Sequence, residues 1–299
     1  MNAVAAAPRR PDDLRRGALL MVTSAMLFAL MGVAVKLAAQ GLPNAMVVFF
    51  RNAVGLVALV PWLWGLGLHG LRTRHGKEHV IRSLAGLASM YCFFYALAHL
   101  RLADAILLNY SIPLFMPFVE SAWLGEAFPR RLWGVILLGF AGIVLILKPG
   151  LGLFQPVALI GLLSALFASV AQVGIRRLTH TEPVPRIVFY FGVISTAISA
   201  MPLATQWRTP PPAMWGLLAA LGLVATAGQL TLTRAYSHAP ATRVGPFIYT
   251  AVVFAALLDW LFWGQWPDRL SFAGAVLVIT AGVLALRVHP EPPPAAAAS

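Results

Sequence analysis

Residues of like character recur through this chain at a fixed interval. Glu120 and Asp259, His99 and His238, Tyr110 and Tyr249, and Gly125 and Gly264 each stand 139 residues apart. A one-residue slip pairs Gly134 with Gly274 and Gly142 with Gly282 at 140. Nearer the start of each copy, Phe28 matches Phe167, Pro43 matches Pro183, Phe49 matches Phe189 and Pro61 matches Pro202, at 139 to 141. The local text agrees as well: LWGVILLGFAGIVLIL (132–147) against SFAGAVLVITAGVLAL (271–286). Such a chain is built as two similar units. If each unit holds an odd number of membrane spans, the two are inverted relative to each other. That arrangement points to a carrier with a substrate site near the membrane midplane.

The membrane is implied by composition. Hydrophobic residues make up 60% and charged residues 11% of 299, where a soluble domain has roughly 25% charged residues. Apolar runs of about 20 residues follow one another, each enough to cross a ~30 Å hydrocarbon core. Ten spans are read: 17–38, 43–65, 81–100, 103–124, 131–147, 155–175, 186–203, 212–235, 241–263 and 270–287. The expected fold is an all-α integral membrane protein of ten transmembrane helices in two inverted five-helix repeats. The divisions are a cytoplasmic tail over 1–16, a first repeat over 17–149, a second over 150–287 and a cytoplasmic tail over 288–299. The copies meet at the Lys148-Pro149-Gly150 turn. The first span is too long for a signal-peptide core and is expected to be retained.

Basic residues set the expected orientation. With these spans, 16 of the arginines and lysines fall on the side of the two tails and loops 2–3, 4–5, 6–7 and 8–9. Five fall on the other side: Lys36, Arg101, Lys148, Arg208 and Arg269. Arg51 alone lies well inside a span, and Arg82 is counted with loop 2–3. Basic loops stay cytoplasmic, so both termini are expected inside. The same residues give the net charge of +12. They are scattered among short loops rather than gathered on one face, which argues against nucleic-acid binding. Arginine outnumbers lysine 19 to 3, a high-GC coding habit consistent with a bacterial inner membrane.

The stretch ADAILLNYSIPLFMPFVESAWLGEAFPRRLWGVILLGFAGIVLILKP (103–149) carries a mid-span Pro113, a Leu-Gly-Glu ending the fourth span and a Gly-rich fifth span. It resembles the end of the repeat in the EamA branch of the drug/metabolite transporter superfamily. APATRVGPFIYTAVVFAALLDWLFWGQWPDRLSFAGAVLVITAGVLAL (239–286) repeats the pattern. The resemblance implies ten helices, two inverted repeats, cytoplasmic termini and export of small metabolites. Two departures stand out. Gln265 replaces the glutamate usual in that family, and Val252 stands opposite Pro113.

Candidate site residues come from polar groups inside the spans. Pro113 removes a backbone hydrogen bond and crowds the carbonyl of Asn109. Asn109-Tyr110-Ser111 is the most polar cluster in any span. It reads either as the lining of a substrate cavity or as a packing kink whose polar groups neighbouring helices satisfy. Tyr91 and Tyr95 lie one turn apart on span 3, and Tyr249 is the counterpart of Tyr110. Thr226, Gln229 and Thr233 form a polar stripe on span 8. Glutamines facing lipid are costly, so Gln172 and Gln229 are expected to face the interior. Arg51 is either a clamp for an anionic group or a snorkelling or structurally paired arginine. Glycines 134, 139, 142, 274 and 282 are expected to pack span 5 against span 10 within one chain.

What the chain lacks narrows its chemistry. It has no Walker loop, no metal-ligand spacing and no nucleophile beside a paired base. Cys92 is its single cysteine, read as a small buried hydrophobe. The histidines fall in loops or at span ends and are expected to be mostly solvated. No carboxylate falls at mid-depth. No cofactor and no enzymatic activity are expected. The reading is a monomeric secondary transporter that exports neutral or zwitterionic amphipathic metabolites, such as amino acids, by alternating access. The alternative is a polytopic membrane enzyme or receptor without transport activity.

Overall fold

The structure, a computed structural model, describes residues 13–64, 72–125, 132–147, 155–179, 181–238 and 245–287. The Lys148-Pro149-Gly150 turn and most of both tails lie outside the described residues. Among the described residues all regular structure is helical. The helices are α1 (Leu14–Ala38), α2 (Asn44–Trp64), α3 (Gly76–His99), α4 (Leu102–Asn109), α5 (Ile112–Leu124) and α6 (Leu132–Leu147). They continue with α7 (Val157–Thr179), α8 (Val184–Ala200), α9 (Pro212–His238), α10 (Thr250–Trp263) and α11 (Arg269–Arg287). Single turns lie at Leu203–Gln206 and, as a 3-10 helix, at Gly245–Tyr249.

Five segments are long and apolar enough to cross a membrane, and five shorter apolar helices accompany them among the described residues. Two spans are broken. The fourth consists of α4 and α5, separated at Tyr110 and Ser111, and the ninth of the 3-10 turn followed by α10. Pro113 lies in the first turn of α5, where its missing N–H has no helical partner to lose. Pro117, inside the same helix, adds a second interruption.

The repeat is visible in the packing. α3 lies along α7 as its counterpart α9 lies along α1. The α3–α8 contact is matched by α9 with α2, while α6–α11 and α2–α8 join counterparts directly. Five spans is an odd number, so the second repeat is inverted. α5 and α10 both end in a glycine of left-handed conformation, Gly125 at φ +71° and Gly264 at φ +65°. A side chain there would be strained, so this helix stop requires glycine in both copies.

Small residues bring the spans together. A Cβ on Gly142 would stand 2.7 Å from the Gly274 carbonyl oxygen, and one on Gly274 would stand 2.6 Å from that of Gly142. The expected span 5–span 10 contact is therefore made inside one chain. Gly139 closes on Leu114 and Gly282 on Tyr249, whereas a Cβ on Gly134 would meet no neighbouring helix within 4 Å. Buried hydroxyls join helices through backbone oxygens: Ser24 donates to Gly228 at 2.8 Å and Ser89 to Ser164 at 2.8 Å.

Candidate functional site

Four spans enclose a central cavity of about 100 Å³. They form two counterpart pairs: α2 with α8, and α3 with α9. α2 presents Arg51, Asn52 and Gly55; α3 presents Arg82; α8 presents Phe191 and Gly192; and α9 presents Thr226, Gln229 and Thr233. The polar stripe of span 8 therefore faces this cavity, together with Arg51.

Arg82 was missed in the sequence because it was assigned to a loop. α3 begins at Gly76, so Arg82 lies on the second turn and points inward. Its guanidinium stacks on the Phe191 ring at 3.8 Å from the centroid, and its Nε and Nη1 are buried without a hydrogen-bond partner. Arg51 donates through Nη1 to the Asn52 side-chain oxygen at 3.1 Å. No carboxylate is among the described residues that line the cavity. At the 140-residue offset Phe191 is the counterpart of Arg51, so the two repeats differ in charge where they meet. The first supplies both cations, and the second supplies an aromatic face, two hydroxyls and an amide. The signal available in the sequence was the run KEHVIRSLAG (77–86), whose apolar positions already suit a helix.

Other candidate residues lie elsewhere. Asn109 is buried where α4 meets α7, its amide donating to the Ser164 hydroxyl at 2.9 Å. Ser111 donates to the Leu107 carbonyl at 3.3 Å. Tyr249 donates to the Tyr110 carbonyl at 3.2 Å, and the two rings meet edge to face. These counterpart residues thus satisfy a carbonyl at the break in span 4. The Tyr91 hydroxyl is buried without a partner, while its carbonyl accepts from Asn44 at 3.0 Å. Tyr95 is 36% exposed, with its ring 4.2 Å from that of His99.

Two expectations are corrected. Gln172 is exposed rather than turned inward. The small residues Gly161, Ser164, Ala165 and Ser169 are buried and set the packing face of α7, leaving Gln172 off that face. His79 is 1% exposed, not solvated. Its ring stacks on Tyr190 at 4.5 Å, and neither ring nitrogen has a hydrogen-bond partner. It too lies inside α3, whose true start places both His79 and Arg82 in the helix.

Beside this helix end, Glu182 accepts from the Thr73 hydroxyl at 2.5 Å and pairs with Arg186 at 2.5 Å. Burial pushes the Glu182 carboxyl up, but these two partners outweigh it and hold the pKa below its ordinary value.

The opposite end of the bundle holds a second cavity of about 470 Å³, lined by Lys36, His99, Arg101, Asp104, Gln155, Gln265 and Asp268. Its charges are paired. Arg101 reaches Asp104 at 2.7 Å and Asp268 at 3.0 Å, and donates to the Trp266 carbonyl at 2.9 Å. Burial alone would lower the Arg101 pKa, but the two carboxylates raise it. Asp259, 1% exposed, accepts the backbone N–H groups of Leu102 and Ala103 at 3.0 and 2.9 Å, and lies 3.6 Å from Lys36. Lys36 also donates to the Leu100 carbonyl at 2.9 Å and lies over the Trp263 ring. Charges in this cavity pair with one another across helices, whereas in the central cavity Arg51 bonds the neutral Asn52 and Arg82 stacks on Phe191. No group of three or more His, Cys, Asp or Glu side chains placed to hold a metal occurs among the described residues.

Comparison with known proteins agrees with this architecture. The chain is 39% identical over 276 residues to the pseudopaline exporter CntI of Pseudomonas aeruginosa, covering 90% of this chain and 95% of that protein. It is 28% identical to the S-adenosylmethionine uptake transporter of Rickettsia bellii, covering 79% of this chain and 81% of that one. Against the riboflavin transporter of Vibrio cholerae the identity is 27%, over 88% of this chain and 90% of that one. A protein of known crystal structure, 21% identical, superposes with a TM-score of 0.62 over 90% of this chain and 96% of its own, which supports the fold. The model of the EamA-like transporter family matches twice, over residues 15–148 and 155–287. This chain belongs to the EamA-like transporter family.

Proposed function

We propose that this membrane transporter exports small carboxylate-bearing metabolites, zwitterions such as amino acids or related compounds, by alternating access. It does so as a monomer in a bacterial inner membrane with both termini cytoplasmic. The supporting observation is Arg51, whose guanidinium lines the cavity with the neutral Asn52 as its hydrogen-bond partner, beside a second arginine, Arg82, and with no carboxylate among the described lining residues. A carboxylate is the natural complement of a guanidinium removed from water. Thr226 and Gln229 supply oxygens for an amine. The named relatives handle small organic metabolites, and a 39% identical relative is an exporter. The inverted repeats provide the two halves that rock about a central site.

The test is efflux from proteoliposomes preloaded with a mixture of labelled amino acids. Release above the leak of protein-free liposomes is expected. Arg51→Gln should slow it about ten-fold or more, because a hydrogen bond to a charged group contributes roughly 1.5–3 kcal/mol. Release no faster than the passive leak would sink the reading.

A further inference from the structure

We infer that the transported molecule carries two carboxylates and leaves as a net anion, drawn outward by the membrane potential. This rests on the central cavity being the substrate site.

The two arginines approach that cavity from opposite ends of the bundle. Arg51 lies seven residues into α2 and Arg82 six residues into α3, each about 10 Å along its helix, and consecutive spans run antiparallel. Their long side chains converge on one space. There Arg82 has two buried donors without a partner, Arg51 has one neutral partner, and the described lining residues include no acid. Two like charges in a low-dielectric space repel, and each lacks its water. One carboxylate between them would leave a net positive charge uncompensated. Two carboxylates restore neutrality, one to each guanidinium.

The acids of the opposite cavity are not free to serve. Asp259 is held by two backbone amides and Lys36, and Asp104 and Asp268 are held by Arg101.

The energetic consequence is direct. An amino acid with two carboxylates carries a net charge of minus one near neutral pH, and a cell interior is electrically negative. Moving one such charge outward across 100 mV is worth ~2.3 kcal/mol, a concentration ratio of roughly fifty-fold. With both arginines kept in the cavity while access alternates, the empty carrier returns with little charge movement. Export then needs no carboxylate relay for protons, in keeping with a lining that holds no acid among the described residues.

The test uses matched pairs differing by a single acidic group: L-glutamate with L-glutamine, and L-aspartate with L-asparagine. Binding to the purified full-length protein is read from thermal stabilisation in detergent. At least one acidic member should bind about ten-fold or more tightly than its amide. Arg82→Gln should reduce that preference to about two-fold, and Arg82→Lys should retain part of it. In proteoliposomes, a valinomycin-set negative interior should accelerate efflux of the acidic member, with no requirement for a pH gradient. Equal binding within both pairs overturns the inference, as does efflux blind to potential. Stronger binding of O-phospho-L-serine than of L-glutamate also overturns it, since one phosphate would then supply both charges. If the amides move as well as the acids and without current, this inference fails while the exporter reading stands. If no member binds or moves, and Arg51→Gln changes nothing, both fail.

Discussion

Single side chains divide here into those that hold the bundle and those left without a partner. Asp259 is the clearest holder. It receives the first N–H groups of α4 and lies beside Lys36, so it both caps a helix and balances a buried charge. Asp259→Ala removes both roles and should cost about 2 kcal/mol or more, from the cap and from the stranded ammonium. Lys36→Met should cost less, because Asp259 keeps its two amides. Thermal unfolding of the purified variants in one detergent checks this order, and equal losses would show that the ion pair dominates. Glu182 makes a pH-dependent contribution. Its folded pKa lies below the ordinary value because Thr73 and Arg186 outweigh the effect of burial. Its stabilisation is therefore fully present above the unfolded carboxyl pKa and is lost as pH falls through the folded one. The melting temperature of wild type should drop between neutral pH and about pH 4 by more than that of Glu182→Gln. Parallel curves for the two proteins would remove Glu182 from the account.

At the scale of elements, close approach of backbones decides which helices pair. α6 and α11 meet at Gly142 and Gly274, where a methyl on either would press on the carbonyl oxygen of the other. Gly142→Ala and Gly274→Ala should each destabilise the protein by roughly 1–3 kcal/mol, as overpacking does. Gly134→Ala meets nothing within 4 Å and should be neutral or slightly stabilising through helix propensity. Thermal unfolding of the three variants separates the cases, and a loss at Gly134 equal to that at Gly142 would contradict this packing. The glycines were legible in the sequence because helix packing in lipid favours small residues. Which of them would meet was not, since the contact depends on the rotation of both helices. The same lack of rotational information misplaced Gln172, whose outward position follows from the small residues that settle α7 on its neighbours. The start of α3 was misread for another reason. Lys77, Glu78, His79 and Arg82 look like a loop when judged by charge, yet they occupy two helical turns with His79 and Arg82 turned inward.

At the scale of the molecule, the repeat was the most readable feature, because it survives as spacing even where residues have diverged. Tyr249 reaching the carbonyl of its counterpart Tyr110 and the paired glycine stops at 125 and 264 are its atomic expression. The copies diverge at the cavity: Arg51 of one and its counterpart Phe191 of the other both line it, and that asymmetry could be recognised only once the cavity was seen. The proposed orientation rests on charge and can be tested directly. The segment joining α2 to α3 carries Arg72 and Arg74, the adjoining ends of α7 and α8 carry Arg177 and Glu182-paired Arg186, and basic segments resist translocation. In a Cys92→Ser background, Arg74→Cys and Thr181→Cys should therefore be protected from an impermeant maleimide added to whole cells. Gln40→Cys and Thr209→Cys, on the connections at the other end and exposed, should label at once. Permeabilising the membrane should make Arg74→Cys and Thr181→Cys react as fast as the other pair. Labelling of Thr181→Cys but not Arg74→Cys from outside would place the two loops on opposite faces, with an odd number of spans between them. That result would undo the inverted relation of the repeats, and with it the basis for a site that opens alternately to each side.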